Sequence, residues 1–394
     1  MFEPDRHFTP SYRPWDEAEA RAAIGEIAQD ALSAFDPLTL WPAHPQDDDL
    51  EDGLGSVYFG AAGVIWALDH LARAGAIEGL PDLAPALAVA LARNEPWYGA
   101  TPYPGHASLL MGDLGIQLVQ MRLKPDPGLA DRIHAAIAAN TMLPTLELMW
   151  GLPGSMLACL HMHGMTGEER FIALFREQAR KLVGEIEERA EGGIWTQHLY
   201  GRHLRWLGAV HGFAGNMAPL LHGWAWLDEA QRRLVADAGA RTFVADAAVS
   251  PLGANWPATL PAKGPPTLCQ HCHGAAGMVT TFADAPFSTP AFEAALLQGG
   301  MLTWNAGPLK KGTNLCHGTG GNGYAFLKLH RRTGEVLWLE RARAFAMTAI
   351  EQVRQARAEY GQGRYSLWTG DPGLAVYLWD CITGEGRFPT IDVM

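Results

Sequence analysis

Apolar and polar positions along the chain define two kinds of helical segment. In the first kind most positions are apolar, as in residues 64–68, 116–119 and 374–378, which predicts buried helices. In the second kind apolar positions recur at helical spacing on one face and charged positions fill the other, as in residues 171–189 and 338–353. This pattern predicts half-buried helices. Strong strand alternation is not seen, so the pattern favours an all-α fold.

A short Gly-x-x-Gly signature precedes the apolar segments and occurs seven times. The copies begin at Gly60, Gly112, Gly151, Gly212, Gly274, Gly318 and Gly370. Successive copies lie 39 to 62 residues apart, a length that suits two helices and their loops. Buried helices that alternate with half-buried ones predict two concentric rings. The glycines would let the backbone turn sharply and approach its neighbour closely where each inner helix begins. The helix N-termini would then point amide groups into a shared central cavity.

Length and composition are those of one sizeable soluble domain. The chain has 394 residues, of which 48% are hydrophobic, and it shows no interdomain linker. We expect a single domain over residues 1–394, with an N-terminal extension at 1–50 and a Gly/Pro-rich insertion at 251–266. The insertion could be a lid or rim element, or only a connection.

Charge and targeting signals limit the partners. A net charge of -12 disfavours nucleic acid, because no basic stripe is present to meet phosphates. The first residues lack the basic start and apolar run of a secretory signal, and position 2 is not glycine. No apolar run is long enough to cross a bilayer. Five cysteines, an odd number in a long chain, favour reduced thiols. These features predict a cytoplasmic protein without stable membrane insertion.

The candidate chemistry lies in two Cys-His-Gly triplets, which start at Cys272 and Cys316 and open two copies of the signature. Two thiolates and an imidazole are a ligand set that zinc accepts, and three protein ligands leave a fourth position for water or substrate. The alternative is two buried thiols and a core histidine. A redox motif formed by Cys269 and Cys272 is a further alternative, although Cys269 stands outside the repeated triplet. His211 occupies the same turn position as the two triplet histidines and should face the cavity.

The chain resembles the lanthionine synthetase C-like family, in particular its glutathione-binding eukaryotic branch and similar bacterial proteins. The resemblance extends from Gly60 to residues 387–389. Its most specific stretches are residues 147–151, 208–215, 271–274 and 310–318. The resemblance implies a double α-toroid, an (α/α)7 barrel of seven inner and seven outer helices, with zinc at one end of the central cavity.

The resemblance also assigns roles to individual residues. It places the zinc ligands on Cys272, Cys316 and His317. It places the active-site histidine on His211, its acidic residue on Glu147 and its glutathione-contacting lysine on Lys311. A short match at residues 6–8 adds Arg6 as a candidate for substrate binding, and His273 could reach the cavity or support the metal.

Two departures from the family pattern concern peptide cyclisation. His271 stands where the family usually has tryptophan before the first cysteine ligand. Leu268 stands near the position of an arginine that assists bacterial cyclases. The departures weigh against peptide cyclisation more than against the fold or the metal site.

The expected reaction is thioether formation. The resemblance implies a thiol, for which we favour glutathione, that adds to a dehydroalanine or dehydrobutyrine residue of a peptide or protein. His211 would deliver the proton to the α-carbon, with Glu147 in support. The alternatives are a lanthipeptide cyclase, a zinc- and glutathione-binding protein without turnover, and a helical-barrel hydrolase acting on glycans. The hydrolase would need an inward-facing carboxylate pair, and the turns offer only Glu147, Asp113 and Asp371, none convincingly paired.

Overall fold

A computed structural model describes residues 1–9, 13–47, 50–99 and 107–394 of the chain. In these residues the helices alternate along the sequence between an outer and an inner position. The outer helices are α1 (Glu17–Ser33), α3 (Ala84–Gly99), α5 (Pro127–Asn140), α7 (Glu169–Gly184), α9 (Glu229–Ala245), α11 (Pro290–Ala306) and α13 (Val336–Tyr360). The inner helices are α2 (Ala61–Arg73), α4 (Asp113–Leu123), α6 (Leu152–Thr166), α8 (Phe213–His222), α10 (Ala275–Phe282), α12 (Thr319–Thr333) and α14 (Asp371–Thr383).

The inner helices form a closed ring. Each one contacts the inner helix that follows it, and α14 contacts α2, which closes the circle. The outer helices pack on this ring, for example α1 on α14, α7 on α6 and α13 on α12. The double α-toroid expected from the sequence is therefore confirmed.

Each inner helix begins directly after the first glycine of a Gly-x-x-Gly copy. All seven N-cap residues are the glycines identified from the sequence. A Cβ added to Gly60 would lie 2.2 Å from the carbonyl oxygen of Leu54, and one added to Gly63 would lie 2.1 Å from that of Val57. Close approach of two backbone segments therefore requires these glycines. A left-handed backbone is found at only one of the seven N-caps, Gly274, with φ 106°.

Backbone hydrogen bonds join the turns that precede the inner helices into a belt. The residue two positions before the first glycine is the joining point in each of five successive turns. The belt runs from Cys272 N to Cys316 O (3.0 Å), from Cys316 N to Trp368 O (3.0 Å), from Trp368 N to Tyr58 O (3.2 Å) and from Tyr58 N to Leu110 O (2.9 Å). These bonds fix neighbouring turns in register, so equivalent side chains of adjacent copies lie side by side.

Short strands connect some of the helices. They are β1 (Glu187–Arg189), β2 (Gly192–Ile194), β3 (Gln197–Leu199), β4 (Arg202–Trp206), β5 (Ala248–Ser250), β6 (Gly253–Asn255) and β7 (Thr259–Leu260). All of the pairings are antiparallel: β1 with β2, β3 with β4, β4 with β7, and β5 with β6. Strands β6 and β7 belong to the Gly/Pro-rich insertion at 251–266, and β7 ties it to the β3–β4 hairpin.

One predicted helix boundary is wrong. The pattern of residues 171–189 predicts a single helix, but α7 ends at Gly184 and Glu187 pairs across a hairpin with Ile194. The charged end of the segment fits a helix and a solvent-facing strand equally well. Burial of Ile194 and Trp195 selects the strand.

The segment predicted as an N-terminal extension contains an outer helix. Helix α1 lies within residues 1–50 and packs on α14 and α13. Ahead of it, the first residues follow the edge of the toroid, where Phe8 N donates to Pro308 O (2.7 Å) and Lys310 N donates to Arg6 O (2.9 Å). Residues 10–12, 48 and 49 of this segment lie outside the described part of the chain.

The residues after α14 run back against the inner helices, and residues 388–391 are buried there. Phe388 stacks on His271 with ring centroids 4.2 Å apart. Asp392 accepts a hydrogen bond from His222 of α8 (2.9 Å) and forms an ion pair with buried Lys328 of α12. The segment thus ties several inner helices together. Among the described helices, none combines the length and apolar character that a bilayer crossing requires.

The signature glycines should be intolerant of even a methyl group. We expect Gly63→Ala to destabilise the fold by about 1–3 kcal/mol, because the new Cβ overlaps the carbonyl oxygen of Val57. Gly25→Ala is the matched control, since nothing lies within 4 Å of its Cβ position on the exposed side of α1, and it should be neutral or stabilise by up to about 1 kcal/mol. Urea unfolding measures both. Equal stability of the two variants would contradict the close-approach argument.

Lys328 should be a major contributor to stability. Its ammonium group is buried and contacts the carboxylates of Asp284 and Asp392. We expect Lys328→Met to lower the free energy of unfolding by about 3–5 kcal/mol, because two carboxylates lose their cation. Lys124→Met, at an exposed lysine, should stay within about 0.5 kcal/mol of the parent. A loss at Lys328 no larger than at Lys124 would show that the network is dispensable.

Candidate active site

The donor atoms of Cys272, Cys316 and His317 form one cluster at the belt. All three lie within 4.8 Å of one another, although the two cysteines are 44 positions apart in the sequence. The backbone bond from Cys272 N to Cys316 O brings the two turns together. The backbone N–H of His317 is held by the side chain of Asn314 (2.9 Å). The residues predicted as metal ligands are therefore adjacent in space.

The pKa values of the Cys272 and Cys316 thiols are shifted in opposite directions. Hydrogen bonds from Cys316 and His317 hold the pKa of the Cys272 thiol well below its usual range, although burial opposes this. The hydrogen bond with Cys272, burial and the negative charge of its thiolate raise the pKa of Cys316 well above the usual range. The two shifts have opposite directions because the two thiol groups interact directly with each other. A divalent cation between them would allow both to ionise.

The donor set fits a transition-metal ion of the zinc type. Two buried sulfurs and one imidazole nitrogen lie within 4.8 Å of one another, and three protein donors are the number found where a fourth position stays open to a substrate. The arrangement is asymmetric in exposure: both cysteines are buried, whereas His317 is partly exposed. The cluster could therefore hold a metal ion that is reachable from one side.

His211 and Glu147 form a second functional pair. His211 Nδ1 lies 2.8 Å from Glu147 Oε2. Glu147 is fully buried, and its carboxylate also accepts hydrogen bonds from the backbone N–H groups of Met149 (3.1 Å) and Trp150. With Nδ1 bound to the carboxylate, Nε2 is the nitrogen that remains for a reaction partner. The imidazole is partly exposed, with 18% of its side chain accessible.

His273 connects the two groups. Its ring centroid lies 6.5 Å from that of His211 and 5.5 Å from that of Trp206, and it follows Cys272 directly in the chain. Burial lowers the pKa of His273. The thiol pair and the His211–Glu147 pair therefore stand at the same end of the toroid, and His273 is close to both.

The two cations predicted to contact substrate have different surroundings. Lys311 is exposed, and its charge acts on Cys316. Arg6 is partly exposed: its Nη2 donates to Gln270 Oε1 (3.1 Å) and its Nη1 lies 3.8 Å from Glu3. Both residues belong to the end of the toroid that carries the cysteines.

The redox alternative finds no support in the arrangement of Cys269. Its sulfur lies 4.0 Å from the hydroxyl of Thr303, and burial raises the pKa of the Cys269 thiol to about 12. It does not belong to the cluster of Cys272, Cys316 and His317, and none of the cysteines is in a disulfide bond. His271, the departure from the family pattern, is buried and stacks on Phe388.

Three residues near the site were missed by the sequence analysis. Gln270 donates to Cys272 Sγ (2.9 Å), and Tyr58 lies within hydrogen-bonding reach of Cys316. Tyr58 could have been found, because it occupies the same turn position as the two cysteines. Tyr200 stands at the tip of the β3–β4 hairpin with φ 51° and meets His211 edge-on, with ring centroids 5.8 Å apart. A tyrosine in the left-handed region has no sequence signal.

A second group of possible metal ligands already has a cationic side chain of the protein as its partner. His222, Asp284 and Asp392 also lie within 4.8 Å of one another. Lys328 contacts both carboxylates. Burial lowers the pKa of its ammonium group, but the charges of Asp392 and Asp284 outweigh burial and raise the pKa above its usual value. The ammonium ion therefore supplies the cation at this place.

Comparison with known proteins agrees with the geometry. The family described as lanthionine synthetase C-like protein matches residues 47–393. LanC-like protein GCL1 of Arabidopsis thaliana is 34% identical over 206 residues, 50% of this chain and 45% of that protein. A protein named glutathione S-transferase LANCL1, from Danio rerio, is 33% identical over 129 residues, 32% of each chain. The matched segments thus span less than half of these relatives.

The fold has a counterpart among solved structures. Nisin cyclase superposes with a TM-score of 0.58 over 94% of this chain and 100% of its own, at 14% identity, which shows a shared architecture. The family match covers most of the sequence, including both cysteine turns, His211 and Glu147. The chain belongs to the lanthionine synthetase C-like family.

Proposed function

We propose that this protein is an enzyme that adds a thiol, most favourably glutathione, to dehydroalanine or dehydrobutyrine residues of peptides or proteins. The observation that carries the proposal is the placement of the Cys272–Cys316–His317 cluster beside the His211–Glu147 pair. One group suits a metal-assisted nucleophile and the other suits proton transfer. The printed name of the Danio rerio relative supports glutathione as the thiol.

The proposed cofactor is zinc, held by Cys272, Cys316 and His317. Zinc bound in this way would lower the pKa of an incoming thiol so that thiolate is present at neutral pH. The cluster is buried on its cysteine side and partly open at His317, which would direct the incoming thiol to one face.

Cations at this end of the toroid would orient the thiol substrate. The chain carries a net charge of -12, yet Lys311 and Arg6 both stand near the cysteine turns. Glutathione has two carboxylates, and each cation could hold one of them. His273 would form part of the wall between the thiol and His211.

His211 would be the catalytic residue for proton transfer. The sulfur of the thiolate attacks the β-carbon of the acceptor, a C–S bond forms, and the electron pair of the C=C bond moves toward the amide oxygen. His211 Nε2 takes the proton released by the thiol and returns it to the α-carbon, so that no proton is gained or lost overall. Glu147 keeps Nδ1 protonated and stabilises the imidazolium form between the two transfers.

Addition of a separate thiol is favoured over ring closure within one peptide. The position near which bacterial cyclases carry an assisting arginine is occupied here by Leu268, which cannot provide a charge. The similarity to nisin cyclase concerns the fold alone. An assay with a dehydroalanine peptide that contains its own cysteine separates the reactions, because cyclisation needs no added thiol and leaves the mass unchanged.

The metal cluster can be tested by removing one ligand. Cys316→Ala should lose stoichiometric zinc and form no glutathione adduct with a dehydroalanine peptide, as measured by elemental analysis and mass spectrometry. Cys269→Ala is the matched control, because it removes a buried thiol three positions from Cys272 that is not in the cluster. It should keep both zinc and activity. Full activity of Cys316→Ala would refute the proposed ligand set.

Proton transfer can be tested without disturbing the metal. His211→Ala should retain zinc and lower kcat for adduct formation by about 10²–10⁴-fold, the usual contribution of a general acid–base. Glu147→Gln should lower kcat less, because the imidazole remains but loses its carboxylate partner. His330→Ala, at the opposite end of an inner helix, should have parent activity. Zinc retention with unchanged kcat in His211→Ala would rule out its catalytic role.

A further inference from the structure

We infer that the N-terminal segment supports the proposed metal centre. It does so through a chain of hydrogen bonds from Arg6 to Gln270 and from Gln270 to Cys272. Arg6 Nη2 donates to Gln270 Oε1 (3.1 Å), and Gln270 Nε2 donates to Cys272 Sγ (2.9 Å). Gln270 is buried, so its amide has few other partners. Arg6 and Gln270 are thus positioning residues that act on the metal through one cysteine. This inference rests on the metal site of the proposed function.

Arg6 determines which way the Gln270 amide points. The two ends of a glutamine amide differ, since one only accepts and the other only donates hydrogen bonds. A guanidinium group only donates, so it selects the oxygen end of the amide. The NH₂ end is then directed at the sulfur, where a donor is required. Without Arg6, the amide could rotate and present its oxygen to a thiolate, which is repulsive.

The backbone holds Arg6 in place for this purpose. Its carbonyl oxygen accepts from Lys310 N (2.9 Å), and its N–H donates to Glu3 O (3.0 Å). The neighbouring His7 lies with Nδ1 2.8 Å from Gly307 O. Gln270 is held as well, because its backbone N–H donates to His273 O (3.0 Å). Both ends of the chain are therefore fixed before any ligand binds.

The donor at Cys272 has a counterpart at the other sulfur. Tyr58, from the turn before α2, lies within hydrogen-bonding reach of Cys316. Each sulfur thus has one neutral donor beside it. A hydrogen bond to a ligand sulfur stabilises the buried thiolate and fixes the cysteine side chain. It also makes the ligand sulfur less reactive toward an electrophile. In a site that handles electron-poor alkenes, this protection keeps the incoming thiol as the nucleophile.

The test measures metal binding alone, with neither glutathione nor acceptor present. Competition with a chromogenic chelator gives zinc affinity, and the sulfur-to-cobalt charge-transfer band of the cobalt-substituted protein reports on the ligand sulfurs. We expect Gln270→Leu to weaken zinc binding by about 10–100-fold and to move the cobalt band to longer wavelength. Arg6→Met should shift the cobalt band in the same direction. It should also weaken zinc binding by about fivefold or more, the effect of losing one neutral hydrogen bond.

Conservative and matched variants complete the test. Arg6→Lys should recover most of the affinity, because an ammonium group also selects the amide oxygen. Lys310→Met removes a neighbouring cation that stacks on Phe8, and it should match the parent protein. Because Arg6 is partly exposed, its variants report on the chain even where Gln270→Leu folds poorly.

The outcomes separate this inference from the proposed reaction. Parent affinity and an unchanged cobalt band in both Gln270→Leu and Arg6→Met would overturn the inference and leave the reaction intact. Metal binding that follows the expected order, without adduct formation by the parent protein, would support the inference and remove the reaction. A parent protein that binds no zinc would overturn both.

Discussion

A belt of backbone hydrogen bonds at one end of the toroid holds neighbouring turns of the inner ring together. Five turns are linked through the residue two positions before the first glycine. Within the turns, the signature glycines admit the backbone about six residues upstream at distances that a Cβ would prevent, as Gly60 does with Leu54 and Gly63 with Val57. The same turns therefore stabilise the inner ring and carry residues of the candidate site. The turns close the inner ring, and they also present their side chains to the central cavity.

The belt explains how cysteines that are distant in the sequence come together in the proposed metal site. Cys272 and Cys316 occupy equivalent positions in adjacent turns, so the bond that joins the turns also brings the sulfurs together. The following position in each copy carries His273 and His317, and His211 occupies it in the preceding copy. The candidate ligands and the candidate catalytic histidine therefore occupy two equivalent positions of a repeated turn. Other copies carry Tyr58 and Trp368 at the cysteine position, and these two rings stack on each other with centroids 5.5 Å apart.

Much of this could be predicted from the sequence because the repeat carries it. Periodic apolar segments and the glycine pairs located every inner helix, and turn equivalence predicted that His211 faces the central cavity. The end of α7 was wrong, because a charged segment does not distinguish a helix from an exposed strand. Gln270 and Arg6 form their chain through contacts 264 positions apart, which no local pattern records. Tyr200 depends on an unusual backbone conformation. Long-range side-chain contacts and backbone exceptions therefore needed the structure.

The proposed reaction requires that a metal held by two sulfurs and one imidazole receives the thiol substrate. X-ray absorption at the zinc edge of the isolated protein, recorded before and after addition of glutathione, reports this coordination. We expect two sulfur neighbours at about 2.3 Å in the resting protein and a third sulfur once glutathione is present. A shell that stays at two sulfurs with saturating glutathione, or a protein that contains no zinc, would refute the proposed role of the metal.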